Sequence, residues 1–525
     1  MAERGSPRRA WATRAAAILA GAAVAFAQPP WGFLPGLLGY AAMLWLVDRS
    51  PNPSPLRSAF WRGWLAGVGY FVVSVWWIAE PFQIDAKEQG WMAPLAVASV
   101  SMFMALFWGA AATAYRALRG GSAVRVLVFA ATFCVAEWLR GHMLTGFPWD
   151  LAGETWRAGS ALSQAAALVG VYGLSWITVA TFATPAVVCE GWPGRAAVLL
   201  AALVVAGLYA FGSLRLAGAP RADPAAPQVR VVQADVRQEV KYDPRLFADI
   251  VGRYVRLTAR PSARRPDIVV WPEGAIPVAL EEYLAPGAWT YVAIAGALAP
   301  GQTLILGGYR FGEDRAGRPA TYNSLAVVRR LGAGLAVVGI YDKYRLVPFG
   351  EFMPLDGLAA RLGIKQLVHV GDGFAAGPRP RPLRLPGLPT VQPLICYEAL
   401  YSGFTREGAR LAGQRAAWIV NISNDAWFGT ASGPRQHLNM ARYRAIEEGL
   451  PMVRATPTGI SAFIDAFGRL VTGEALGEGA FGVIDALLPP ALEPTPFDRW
   501  GDGAFWLMLI VSLAGARWRG RQVDG

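Results

Sequence analysis

Apolar residues along this chain fall into long unbroken blocks near its two ends and into short runs between them. Blocks that span, or nearly span, a bilayer (about 20 residues) lie near residues 11–27, 31–47, 59–79, 92–115, 123–139, 160–189 and 196–213. An eighth stands alone near 502–516. The first two are short, and Pro29 and Pro30 between them read as the turn of a helical hairpin. So many consecutive blocks point to a multi-pass α-helical membrane domain rather than to buried helices of a large soluble protein. The middle of the chain follows a different rhythm. After a linker, ADPAAP, short Val- and Ile-rich runs appear: VRVVQADV, DIVVWPE, TLILGGYRF, NSLAVVRR, VQPLICYE, AAWIVNIS and SAFIDAFG. Helix-like stretches separate several of them, DPRLFADIVGRYVRLTAR and PRQHLNMARYRAIEEG among them. Near-continuous apolar strands alternating with helices predict a layered α/β domain with strands buried on both sides. The expected division is a membrane domain of about seven spans over 1–221, an α/β domain over 222–490, and a C-terminal span with its tail over 491–525.

Composition agrees with that division. Hydrophobic residues make up 54% of the 525 positions and charged residues only 16%, against roughly 25% in soluble domains. The net charge of +12 comes mostly from Arg beside the apolar blocks. No basic stripe with interleaved aromatics is present, so the charge reads as lipid contact and not as nucleic-acid binding. Arg4, Arg8, Arg9 and Arg14 precede the first span, Arg49, Arg57 and Arg62 follow the second, Arg116, Arg119 and Arg125 separate the fourth from the fifth, Arg195 precedes the seventh, and Arg517, Arg519 and Arg521 follow the eighth. If spans alternate, all these lie on one side. The other side holds QPP and the acidic loop with Glu80, Asp85 and Glu88; Arg140 and Arg157 are the exceptions. The positive-inside bias then makes both termini cytoplasmic and the α/β domain extracytoplasmic. The Arg-rich start followed by Ala25-Phe26-Ala27 also fits a cleavable signal peptide, but the further spans favour an uncleaved helix.

Three cysteines, Cys134, Cys189 and Cys396, form neither a disulfide framework nor a CxxC metal pair. No GxGxxG or Walker-type loop stands at a strand-to-helix junction, so no nucleotide, metal or other cofactor is expected; GGYRFGEDRAG reads as a hairpin. Cys396 ends an apolar strand and is followed at once by the polar Tyr397 and Glu398. A lone buried Cys is more often packing than nucleophile, yet an idle thiol outside the cytoplasm is a liability. Taken alone, the two readings balance. A thiol nucleophile needs a base and a thiolate stabiliser. His369 and His437 stand in no motif of that kind. Glu273, at the end of VVWPE, is the better candidate: burial behind Trp271 and Pro272 is expected to raise its pKa into the range of a general base. In isolation it could equally be a surface Glu at a strand end. Lys343, in YDKYRLVPFGEFMP, is one of few lysines, and a compact ammonium suits a thiolate and an oxyanion; alone, it would be an ordinary exposed Lys.

Together these stretches resemble the nitrilase superfamily, whose members carry a Glu-Lys-Cys triad on an α-β-β-α sandwich. Glu273, Lys343 and Cys396 follow in that order, 70 and 53 residues apart. With the spans added, and with EWLRGHMLTGFPW at 137–149 and NISNDAWFG at 421–429, nearly the whole chain resembles the bacterial apolipoprotein N-acyltransferases. The resemblance implies an inner-membrane acyltransferase with a periplasmic catalytic domain. It implies transfer of an acyl chain from a phospholipid, usually phosphatidylethanolamine, to the α-amine of a diacylglyceryl-cysteine apolipoprotein, through a thioester. It assigns Glu273 as base, Lys343 as stabiliser and Cys396 as nucleophile, with Glu351, Tyr397 and Glu398 in support. Tyr242, in KYDP, stands on a substrate-contacting loop where the family is expected to carry Trp.

The apolar segment with Phe349, Phe352, Leu355, Leu362, Ile364 and Leu367 is expected to form a membrane-facing lid, with a core segment as the equal alternative. Two other functions fit parts of the pattern. One is a membrane-tethered amidohydrolase of nitrilase type, with water as acceptor. The other is a transporter or receptor with an inactive nitrilase-like ectodomain; the scarcity of charge inside the spans counts against it.

Overall fold

A computed structural model describes residues 7–51, 53–354 and 373–523. The chain forms two compact units: 1–219 with 431–447 and 494–525, and 220–430 with 448–493. Helix Gly433–Glu448, which sits between strands of the second unit in sequence, groups with the first but for its last residue.

The first unit is helical. Each of the eight apolar blocks contains helix. Among the described residues, three stretches are long and apolar enough to cross a membrane: Ala86–Leu118, Leu162–Val187 and Trp192–Ala217. Pro55–Ser74 with Trp76–Gln83 makes a fourth if its 46° bend lies within one span. Leu34–Asp48 and Gly503–Gly515 are apolar but shorter. Helices Pro7–Ala25 and Arg125–His142 carry several charges each. Lipid tails give apolar helices no hydrophobic reason to associate, so close packing must hold them together. Small residues supply it. A Cβ on Gly21 would lie 1.8 Å from the Ala66 carbonyl oxygen, and one on Gly69 would lie 2.1 Å from that of Ile18. The helices that carry Gly21 and Gly69 therefore touch backbone to backbone. Gly63 and Gly67 do the same against Trp108 and Ala105. Among its buried charges, Arg140 is ion-paired to Glu137, which accepts the Trp108 indole N–H at 2.6 Å.

The second unit is a sandwich of two sheets. We number its strands β1 (Gln228–Ala234), β2 (Ile268–Val270), β3 (Thr303–Glu313), β4 (Pro319–Leu331), β5 (Gly334–Asp342), β6 (Val391–Ile395), β7 (Trp418–Ile422), β8 (Met452–Ala455), β9 (Ser461–Ile464), β10 (Leu470–Leu476) and β11 (Phe481–Leu487). One sheet runs β11-β1-β2-β3-β4-β5 and the other β10-β9-β8-β7-β6. The two sheets face each other, β1 against β8 and β9 and β4 against β6. Helices Phe247–Thr258 and Trp289–Ala297 cover the first sheet, burying Ile250, Tyr254 and Ile294 with Trp271 and Leu304. Helix Phe404–Ala412 covers the second, with Gly408 so close to β6 that a Cβ would lie 2.6 Å from the Gln392 side chain. This is the α-β-β-α arrangement expected. The GGYRFGEDRAG hairpin is the β3–β4 turn. Four strands went unread in the sequence: β5, β8, β10 and β11. The fold depends on them, since β11 pairs with β1 along its whole length and β8 bridges β7 and β9.

Candidate active site

The central parallel strands end on one side, and the residues that follow them converge. β1, β2 and β3 pair in parallel, as do β6, β7 and β8, so their C-terminal ends lie side by side within each sheet. Glu273 follows β2, and Gly307 on β3 makes room for it: a Cβ there would lie 2.5 Å from the Glu273 Cα. Lys343 follows β5 and Cys396 follows β6.

The Lys343 ammonium, almost fully buried, donates to the Glu351 carboxylate at 2.8 Å and lies 3.3 Å from that of Glu273. The Asn323 amide on β4 donates to the same two oxygens, at 2.7 Å to Glu273 and 2.6 Å to Glu351. The second oxygen of Glu273 accepts the Asn424 backbone N–H at 2.7 Å, and that of Glu351 accepts the Val347 N–H at 2.8 Å. Cys396 stands within the electrostatic reach of both Glu273 and Lys343. Its backbone has φ of 50°, in the left-handed region that costs a side chain about 1–3 kcal/mol. The turn Cys396–Leu400 begins there, and Glu398 braces it. Glu398 is fully buried and accepts the Tyr341 hydroxyl at 2.8 Å and the N–H groups of Ile395, Tyr344 and Arg345 at 2.8, 2.8 and 3.1 Å. The loop after Lys343 and the loop after β6 are thus tied to one carboxylate. Burial pushes that carboxyl up to about 7 against those donors. Tyr397 is buried, its ring edge-on to Tyr401.

One expectation needs correcting. Burial does push the Glu273 carboxyl up, as foreseen from its place behind Trp271. The Lys343 ammonium, the Asn323 amide, the Asn424 N–H and Lys241 outweigh it, and the carboxyl sits below its ordinary value. Burial and Glu273 push the Cys396 thiol up to about 12, despite Lys343. Burial works against the Lys343 ammonium too, but Glu273 and Glu351 raise its pKa above the ordinary lysine value. At neutral pH the proton therefore rests on sulfur and the carboxylate is ready to take it.

Tyr242 is 64% exposed, beside Lys241 on a short turn of helix. Phe349 is exposed and Phe352 half-buried; Leu355, Leu362, Ile364 and Leu367 lie outside the described residues.

Sequence reading missed four residues of this site. Asn323 was seen only as part of a strand. Ser423 and Asn424 belong to NISND, quoted without a role. Lys241 stands next to Tyr242 with no motif of its own to mark it. It is only 4% exposed, and a Cβ on Gly274 would meet its ammonium at 2.6 Å. Burial lowers its pKa to about 8, against the pull of Glu273. A lysine with a folded pKa below its unfolded value of about 10.4 destabilises the fold at neutral pH. The penalty fades as pH rises from about 8 toward the unfolded value. Lys241→Met is therefore expected to raise the thermal midpoint at pH 7, and by less at pH 9.5. It should also move the acid limb of the activity profile upward, because Glu273 loses a cation. Thermal melts and pH–rate profiles measure both; a lower midpoint at pH 7, or an unmoved limb, refutes the respective claim.

Two family models match the chain. The apolipoprotein N-acyltransferase N-terminal domain covers residues 20–184, and carbon-nitrogen hydrolase covers 228–495. The apolipoprotein N-acyltransferase of Caulobacter vibrioides is 54% identical over 96% of this chain and 94% of its own length. The chain belongs to the apolipoprotein N-acyltransferase family. The member from Bradyrhizobium diazoefficiens is 39% identical over 96% of this chain and 95% of its own. A nitrilase-superfamily amidase from Nesterenkonia aligns with 51% of this chain and 93% of its own, at 16% identity and a TM-score of 0.35. In this N-acyltransferase family member, Glu273, Lys343, Glu351, Cys396 and Glu398 all fall within the carbon-nitrogen hydrolase match.

Proposed function

We propose that this membrane-bound N-acyltransferase works by ping-pong transfer through a thioester on Cys396, with a diacylglyceryl apolipoprotein as acceptor. The observation that carries the reading is the Lys343 ammonium, shared by two buried carboxylates beside the thiol. Glu273 takes the thiol proton as sulfur attacks an ester carbonyl of the phospholipid. Lys343 faces the negative charge that develops, where a fixed ammonium in a water-poor site acts most strongly. Collapse of the tetrahedral intermediate expels the lysophospholipid alkoxide, and Glu273 returns the proton to it. The lipoprotein amine then attacks the thioester, Glu273 accepts its proton, and the departing sulfur recovers that proton. No net charge is left behind. Glu351 holds Lys343, Glu398 holds the turn that carries the nucleophile, and Tyr397 packs beside it. Exposed Tyr242 and Phe349 offer aromatic surface to lipid or peptide.

The donor we favour is phosphatidylethanolamine. The location we favour is the bacterial inner membrane, with both termini cytoplasmic and the catalytic unit periplasmic. The Arg-rich loops on one side of the apolar blocks support that orientation. The test supplies phospholipid labelled in its acyl chains, with or without a synthetic diacylated lipopeptide. Acyl-enzyme that persists in water and is discharged by the lipopeptide amine is the expected result. Rapid discharge by water alone would mean an amidohydrolase-type enzyme instead.

A further inference from the structure

Behind the sulfur of Cys396 lies a polar chain that the mechanism above does not use. β6 and β7 run in parallel with Ile395 opposite Ile422, so the next residues beyond that pair are Cys396 and Ser423. The Ser423 side chain is hydrogen-bonded to the thiol. It is fully buried, and its Oγ lies 2.7 Å from the Asp425 carboxylate. Asp425 in turn is paired with Arg454 on β8, whose Nη2 lies 2.7 and 3.0 Å from its two oxygens; neither side chain reaches solvent. Asn421 anchors the other end of the Arg454 guanidinium and donates to the Leu394 carbonyl on β6 at 3.1 Å.

A serine hydroxyl has one proton and two lone pairs, and an ionised carboxylate can only accept. While Asp425 accepts the hydrogen bond of the Ser423 O–H, the oxygen turns a lone pair toward sulfur, and the thiol S–H donates to it. That arrangement suits a thiol; the Ser423 bond favours a thiolate, and so lowers the thiol pKa, only with the hydroxyl proton turned toward sulfur. Once Glu273 has removed the thiol proton, sulfur too can only accept. Rotation about the Cβ–Oγ bond then brings the Ser423 O–H from Asp425 to sulfur. Asp425 is not abandoned by this, because both Arg454 contacts remain. We propose that Ser423 is a switching donor, bonded to Asp425 while Cys396 is a thiol and to sulfur while it is a thiolate, and that the buried Asp425–Arg454 pair is what permits the exchange. No bond is made or broken at Ser423; its proton stays on its own oxygen while the thiol proton goes to Glu273. The inference rests on the reading of Cys396 as nucleophile.

Alkylation by iodoacetamide tests the switch without substrate. The full-length protein, in detergent or nanodiscs, is sampled between pH 7.0 and 9.5, and modified peptides are quantified by mass spectrometry. Exposed Cys189 is the internal reference. The charged and titratable groups facing the Cys396 sulfur are Glu273 after β2, Lys343 after β5 and Asp425 after β7, with Arg454 of β8 behind Asp425; none is altered in the variants. In Ser423→Ala, alkylation at Cys396 relative to Cys189 is expected to slow about ten- to a hundredfold at each pH, the loss of one charge-assisted hydrogen bond. Ser423→Thr keeps the hydroxyl and should restore the rate. Single-turnover acylation should fall and recover in the same order, with little change in KM. A variant that merely loosened the fold would expose the thiol and speed its alkylation. An alanine variant alkylated as fast as the parent, or a threonine variant as slow as alanine, overturns the proposal. Absence of an acyl group on Cys396 of the parent overturns the nucleophile assignment itself, and this inference with it.

Discussion

With alanine at position 396, labelled phospholipid is expected to leave no hydroxylamine-sensitive acyl group on the protein, and transfer to a lipopeptide amine is expected to fall to background. The effect should be the largest of any single substitution, because the two half-reactions share that one sulfur. The other two thiols offer no substitute: Cys134 is buried in helix Arg125–His142 and Cys189 is exposed near Glu190 of the helical unit, away from the Glu273 and Lys343 cluster in sequence and in unit. Folding should be little disturbed, since alanine removes a single atom. Its backbone strain at φ of 50° is inherited unchanged. Serine at the same place should fare scarcely better, because an alkoxide is far harder to generate than a thiolate when the base is a carboxylate held below its ordinary pKa. Gel and mass-spectrometric detection of acyl-enzyme decides the matter, and a labelled alanine variant would remove Cys396 from the mechanism.

Lys343→Met is the second large effect. It leaves Glu273 and Glu351, both bonded to the Asn323 amide, without the ammonium that separates their charges. Two buried carboxylates that close cannot both stay ionised, so one takes up a proton near neutral pH. If that one is Glu273, the base is lost; in either case the thiolate and oxyanion lose their cation. Acyl-enzyme formation is expected to fall about 10³-fold, on the scale of removing one oxyanion donor. Breaking a buried pair from one side also costs about 3–5 kcal/mol, so the variant should melt earlier. The double variant Lys343→Met with Glu351→Gln separates the two consequences. It removes one negative charge along with the positive one and should regain much of the stability while staying inactive. Arginine is not expected to rescue, because the site encloses a compact ammonium almost completely and gives a planar guanidinium no room. A single-turnover rate near that of the parent in Lys343→Met would end its assigned role.

Much of the helical unit and the outline of the sandwich can be read along the chain, because each follows from a local pattern. Long apolar blocks become helices, and runs such as VRVVQA and WIVNI become buried strands. Of the four strands that escaped notice, β8 is buried and central but only four residues long with Arg454 inside it, and the other three are of another kind. β5 is only partly buried and contains Gly339; β10 and β11 carry glycines and charges and lie toward sheet edges, where one side has less apolar surface to cover. Their β structure comes from partners far away in sequence, as when Phe481–Leu487 pairs with Gln228–Ala234. Local composition carries no trace of that.

The candidate site divides in the same way. By itself, the sequence determined which side chains could do acyl-transfer chemistry: a lone thiol at a strand end, a carboxylate behind Trp271, and a rare lysine, in an order shared with a known superfamily. Those are properties of residue type and spacing. Only the tertiary structure decided which charges would meet and how their protons would settle. It placed Asn323 between two glutamates and Lys241 beside Gly274. It set Ser423 between a thiol and a carboxylate, and it turned the expected rise in the pKa of Glu273 into a fall. Burial can be anticipated along a chain; the donors that will surround a buried carboxylate cannot, because Lys343 arrives after β5, Asn323 from within β4, Asn424 after β7 and Lys241 from the helix after β1.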